Sequence, residues 1–194
     1  KLGTSYLLNS TEEKLDPRVK RTRGLILQSF ESLLAEKGFE TISVQDVTDK
    51  AQVNRATFYA HFPDKYALLD YSIQKAFMSE IEKRTLNVCS YSPDNLRNLI
   101  LAVVDFLSRV HTGCAQPHQH FESLIEGTIK KEIFELLSYW LRKSKVPTEI
   151  PVTVATWAIY GLASHYSHMK KRPALEKFVD EAFPLVAVNL EQFA

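Results

Sequence analysis

The chain has 194 residues, 45% of them hydrophobic and 24% charged, with a formal net charge of +1. That apolar fraction with so little net charge excludes a wholly disordered chain and suits one or two compact domains, while the 6 glycines and 8 prolines, scattered without period, exclude a collagen-like fibre. A net charge near zero argues against a general polyanion binder unless the bases are concentrated on a small surface.

The first residues carry only a short apolar patch, Tyr6 to Leu8, followed by Glu12 and Glu13, which is not a signal-peptide pattern. Among the longer apolar runs, Leu99 to Leu107 is broken by Asp105 and falls far short of the roughly 20 residues that cross a bilayer, so no membrane partner is expected. Cys89 and Cys114 are far apart and form no disulfide framework, which fits a reducing, cytoplasmic setting.

Helical periodicity dominates, and the expected fold class is all-α with about nine helices. The first helix spans about Pro17 to Lys37, with Leu25, Ile26, Phe30, Leu33 and Leu34 as its apolar stripe and Gly38 ending it. Its start holds Arg18, Lys20, Arg21 and Arg23 with no acid between Asp16 and Glu31. Cations there oppose the helix dipole, which makes sense with an external anion such as phosphate, and Arg21 is the candidate contact. Thr41 and Ser43 can cap a short helix from Val44 to about Lys50, with Val44, Val47 and Ala51 inward; Asn54 then caps Arg55 to His61. A long helix follows from Lys65 to about Val88, and after a break at Ser90 to Pro93 come helices at about Asp94 to His111, Gln119 to Lys143 with a break at Gly127, Glu149 to Met169, and Ala174 to Gln192. The resulting plan is a domain of short helices at 17–66 and a helical domain at 67–194, joined by the fourth helix.

Two short helices separated by a tight turn and preceded by a longer one form a helix-turn-helix pattern, whose second short helix places its N-terminal residues in the major groove. With Ala56, Phe58 and Phe62 facing inward, Asn54, Arg55, Thr57, Tyr59 and His61 are left for solvent, phosphate and bases. Arg55 can fork onto guanine or clamp a phosphate, Thr57 can meet thymine, and Tyr59 and His61 can reach backbone oxygens; the alternative for the last two is an aromatic cluster closing the core. Thr41, Ser43 and the free N–H groups beside them form a phosphate seat, and Lys65 points at the same backbone.

The segment from about Arg21 to Leu69, above all FYAHFPDKYALL from Phe58 to Leu69, resembles the DNA-binding domain of the TetR family of transcriptional regulators. The resemblance implies core roles for Val47 and Ala51, base or phosphate contacts for Thr57 and Tyr59, a phosphate contact for His61, a groove-facing base at Arg55 and Lys65 over the DNA backbone. It also implies a homodimeric repressor whose C-terminal domain binds a small, often apolar or aromatic effector. One position departs from the pattern: the turn after Ala51 commonly has glycine, and this chain has Gln52, where a positive φ would cost about 1 kcal/mol.

Small and aromatic residues on the last two helices suit a two-fold interface, with Val154, Ala158, Gly161, Leu162, His165, Phe178, Phe183 and Val186 as candidates; pairing would set two recognition helices about 34 Å apart. The alternative is a monomer whose core these helices close. An effector pocket has Phe106, Val110, Phe121, Leu124, Ile125, Phe134, Leu137, Trp140, Trp157 and Tyr160 as candidates. His111, Cys114, His118 and His120 carry metal-binding side chains at no recognised spacing, so neither metal nor cofactor is expected. Phosphate-loop, HExxH, nucleophile-elbow and CxxC patterns are absent from the sequence, and no enzyme is expected. Two alternatives stay open: a DNA-binding regulator without an effector, and a helical interaction protein that does not touch DNA.

Overall fold

A computed structural model describes residues 16–84, 90–113 and 119–193, except for the side chains of residues 112, 113 and 119–121. Within them lie eight α-helices and one short 3-10 turn, Glu191–Phe193. They are α1 Pro17–Lys37, α2 Val44–Ala51, α3 Arg55–His61, α4 Lys65–Arg84, α5 Pro93–Gly113, α6 Gln119–Trp140, α7 Glu149–His168 and α8 Leu175–Ala187. Cys89, Cys114, His118 and the expected end of α4 at Val88 lie outside the described residues, as do the side chains of His120 and Phe121.

The helix starts follow from their capping residues. Asp16 accepts from the Arg18 N–H at 2.7 Å with Pro17 in the first turn, and Ser43 and Asp46 form a reciprocal capping box. Asn54 accepts from the Thr57 N–H at 2.7 Å and from its hydroxyl at 2.9 Å. Gly38 closes α1 with φ 74°, and Gln52 takes the left-handed conformation at φ 55° and ψ 42°, as the missing glycine predicts. Helix α6 runs through Gly127 without a break, and α8 stops earlier than expected, a few residues beyond its internal Pro184.

Two predicted core positions are corrected. Leu25 is 42% exposed; the buried stripe of α1 keeps the expected Ile26, Phe30 and Leu33 and has Leu27 in place of Leu25. Ala56 is exposed, because a seven-residue helix turns only one position fully inward, and that position is Phe58, 0% exposed.

Helices α1 to α3 pack together with the start of α4 around Phe30, Phe39, Phe58 and Phe62. The rest of the molecule centres on α5, which packs against α4, α7 and α8, while α6 packs on α4 and α7. Helix α4 is bolted to both neighbours. Its Gln74 donates to Glu132 at 2.6 Å, Thr128 donates to its Asp70, Arg84 pairs with Asp105 at 2.6 Å, and Phe77 meets Phe106 edge-on at 5.4 Å. Among the described residues no helix is long and apolar enough to cross a membrane.

Candidate nucleic-acid interface and effector cleft

Helix α3 rests on Phe58 and Phe62, and its other side carries the predicted DNA-facing groups. Asn54, Arg55 and Tyr59 are exposed, Tyr59 at 47%, while Thr57 and His61 are half-buried. Arg55 Nη2 donates to the Tyr59 hydroxyl at 3.1 Å, so each side chain holds the other on the outer face. This surface is attached to α1 through α2, where Lys37 pairs with Asp46 at 2.9 Å and Lys50 pairs with Glu36. Both carboxyls are held below the usual carboxylate range: Asp46 by hydrogen bonds from Ser43 and Lys37, and Glu36 by those from Lys50 and Ser32.

Several basic and hydroxyl groups have local tasks that the sequence pattern does not display. Lys65 turns inward: its Nζ donates to the carbonyls of Phe39 at 3.3 Å, Glu40 at 3.2 Å and Ile42 at 2.9 Å, and lies 4.6 Å from the Phe39 ring centroid. Its three N–H groups face three carbonyls, so in this structure Lys65 ties α4 to the α1–α2 loop. Thr41 donates to Lys37 O at 2.7 Å and Gly38 O at 3.1 Å, capping α1. The Ser43 hydroxyl donates to Asp46 Oδ2 at 2.6 Å, so a carboxylate already fills the anion seat expected at the start of α2.

The basic run of α1 divides in the same way. Arg21 is exposed, whereas Arg23 stacks its guanidinium 4.2 Å from the Tyr71 ring centroid and 5.0 Å from that of Phe62. Burial and the nearby Arg23 charge push the His61 imidazole below its usual value.

A second feature lies in the C-terminal helices: a cleft of about 360 Å³ lined by Val110, Ile125, Trp157 and Tyr160, four of the predicted pocket residues, and by polar groups that were not predicted. These are His111, Glu122, Glu126, Ser164 and His168; Glu122 and Glu126, one turn apart on α6, were the signal available in the sequence. Phe106, Leu137 and Trp140 are buried in the core, and Leu124 and Phe134 pack against it, so these five predicted lining residues close the helical bundle instead. Phe121 lies outside the described side chains.

On the outer face of α7, Ile150, Val154, Trp157, Gly161 and His165 are exposed in one helical stripe, with Ala158 and Leu162 half-buried at its margin. On α8 the expected contact Val186 is corrected. It is 0% exposed and faces the core, and the outward apolar residues are Leu185 and, just past the helix end, Val188, while Phe178 and Phe183 are half-buried. Gly161 also lines the cleft.

A capped α3 seated on Phe58, joined to α2 by a tight turn and presenting Arg55 and Tyr59 outward, defines a helix-turn-helix DNA-binding domain. Residues 26–71, within this domain, match the family of bacterial regulatory proteins, tetR family. The chain is 38% identical over 76 residues to the HTH-type transcriptional regulator YxbF of Bacillus subtilis, a match over 39% of this chain but only 20% of that protein. It is 22% identical over 183 residues, 86% of this chain and 98% of the relative, to IcaR of Staphylococcus aureus, the negative transcriptional regulator of the biofilm operon icaADBC. Among solved structures, a TetR-family regulator from Streptomyces coelicolor superposes with a TM-score of 0.63 at 15% identity, over 91% of this chain and 98% of that one.

Proposed function

We propose that the protein is a sequence-specific DNA-binding transcriptional regulator, acting as a homodimeric repressor on a palindromic operator and released by a small apolar or aromatic effector. In this reading residues 17–66 read DNA, and residues 67–194 pair the subunits and hold the effector. The observation that carries it is the Arg55–Tyr59 pair, held at 3.1 Å on the open face of a helix whose opposite side is anchored by Phe58. Arg55 and Tyr59 contact base edges or the groove rim, assisted by Asn54 and Thr57 at the helix start. Arg21, Thr41, Ser43 and His61 flank them on phosphates. With the Thr41 hydroxyl engaged in a cap and both the hydroxyl and the N–H of Ser43 on Asp46, the contact here falls to the Thr41 N–H and the backbone N–H groups beside Ser43 at the start of α2. Repression is supported by the likeness to IcaR along nearly its whole length, and pairing by the exposed stripe on α7 beside Leu185 and Val188.

The test uses duplex DNA selected from a random pool by the full chain. Arg55→Ala and Tyr59→Ala should each weaken binding by about 1–3 kcal/mol, roughly 5- to 150-fold, with the helical circular dichroism unchanged. Log affinity should fall linearly with log salt. Unchanged affinity in both variants removes this reading of α3, and a monomeric mass by light scattering at micromolar concentration removes the dimer.

A further inference from the structure

The cleft carries more charge than an apolar effector would require. Among the described residues that line it the carboxylates are Glu122 and Glu126, and they share the wall with the rings of Trp157 and Tyr160. The chain already supplies these groups with a cation of its own. Lys130 Nζ pairs with Glu126 Oε1 at 2.6 Å, and the same ammonium lies 3.5 Å from the Trp157 ring centroid and 5.5 Å from that of Tyr160. A positive centre held between a carboxylate and an aromatic face is the arrangement by which proteins recognise organic cations.

The balance of charge points the same way, since Lys130 offsets only one of the two carboxylates. A third group registers the excess: the Tyr160 phenol is pushed up to about 12, first by burial and then by Glu126 and Glu122. The remaining titratable groups on the lining are His111 and His168, whose rings meet edge-on at 4.6 Å. Each is held through Nδ1 by a carbonyl of its own helix, Leu107 O at 2.9 Å and Ser164 O at 2.7 Å. A volume of about 360 Å³ is near the small end of ligand pockets, roughly 300–1,000 Å³, and suits one or two fused rings.

We propose that the cleft takes a small organic cation with a flat aromatic body, its positive centre beside Glu122 and Glu126 and its rings on Trp157 and Tyr160, displacing Lys130 from the Trp157 face. The proposal rests on the effector reading of this region and adds the ligand's charge. Ligand arrival releases Lys130 from Trp157, so the cation replaces an internal contact and does not merely fill space.

The experiment titrates the full chain with three probes of similar shape at mildly alkaline pH: N-methylquinolinium (cationic), lepidine (neutral) and naphthoate (anionic). Heat and Trp157 fluorescence are read together. N-methylquinolinium should bind at least about tenfold tighter than lepidine, with naphthoate weakest. Glu126→Gln and Glu122→Gln should each weaken the cation about five- to tenfold while leaving lepidine unchanged, and Lys130→Gln should tighten the cation about threefold or more. The opposite signs of the Glu and Lys variants separate this effect from loss of folding. Equal or tighter binding of lepidine or naphthoate, absence of binding by all three at millimolar concentration, or a cation affinity unmoved by these variants overturns the assignment of charge. Release from the operator by a neutral or anionic compound would keep the effector reading while removing the cation.

Discussion

Lys65 offers the sharpest separation of a structural from a DNA-contacting role, and Lys65→Met is the change that isolates it. Methionine keeps the length of the apolar stem and deletes the donors that reach Phe39, Glu40 and Ile42. Hydrogen bonds from a charged donor are worth about 1.5–3 kcal/mol each when water is excluded. The Lys65 side chain is half-buried and Glu40 is exposed, so solvent recovers much of that, and a net loss of about 2–3 kcal/mol is expected, including the contact with the Phe39 ring. At about 2–4 °C per kcal/mol for a chain of this size, the melting temperature should fall by about 5–10 °C. The assay pairs thermal melts followed by far-ultraviolet circular dichroism with DNA affinity measured across a salt series. A tie between α4 and the loop predicts the lower melting temperature with an unchanged salt slope in the folded range. A melting temperature within about 1 °C of the parent, with a salt slope smaller by about one, would mean that Lys65 acts on phosphate and would refute the reasoning.

Gln52→Gly should stabilise the chain by up to about 1 kcal/mol in urea denaturation, because the left-handed turn at φ 55° penalises a side chain; a loss of stability would show that the Gln52 side chain makes compensating contacts. Glu132 is buried with Oε2 unpartnered, and burial raises its carboxyl above the usual range. The native protein therefore loses stability as pH rises from the ordinary glutamate range through that raised value. Glu132→Gln should stabilise it by about 1–3 kcal/mol near neutral pH and by little in acid, as read from melts at several pH values. His61 behaves in the opposite sense: with its imidazole lowered, the unfolded chain binds the extra proton, so its contribution to stability is whole above about pH 6.5 and is lost as pH falls. His61→Gln should flatten that limb of the melting profile. Phe58→Ala removes the anchor of α3 and should cost about 3–5 kcal/mol, measured by chemical denaturation.

Two helix starts were legible from the residues because capping is local: Ser43 and Asn54 act within three positions of themselves. The left-handed turn at Gln52 was legible from the resemblance, whose pattern has glycine there. What escaped the sequence depends on groups distant along the chain. Lys65 and Arg23 each read as a base near a helix start. Only folding brings Lys65 to carbonyls 23 to 26 residues away and Arg23 to the Tyr71 ring. In the C-terminal helices, periodicity marked apolar residues but could not divide them between bundle core and cleft, since Trp140 and Trp157 carry the same chemistry and sit 5% and 58% exposed. Predicting a pocket from apolar residues alone also missed Glu122 and Glu126.

Helix α6 has one face in the cleft, at Glu122, Ile125 and Glu126, and another on α4, at Thr128 and Glu132. A rotation of α6 would turn α4 as a short lever. Its fulcrum is Asp70 and Gln74, and its working end is Lys65, about 8 Å from the first and about 13 Å from the second at 1.5 Å per residue. A tilt of about 10° at that fulcrum would carry the loop tied to Lys65, and α2 and α3 with it, by about 2 Å. In a two-fold pair the displacement counts twice, about 4 Å against the roughly 34 Å that separates successive major-groove faces. Because the tie holds the small domain as one rigid piece, such a motion would change the span between two reading heads while leaving the shape of each intact. A distance between spin labels at Tyr59→Cys in the two subunits that stays fixed on ligand addition would exclude it.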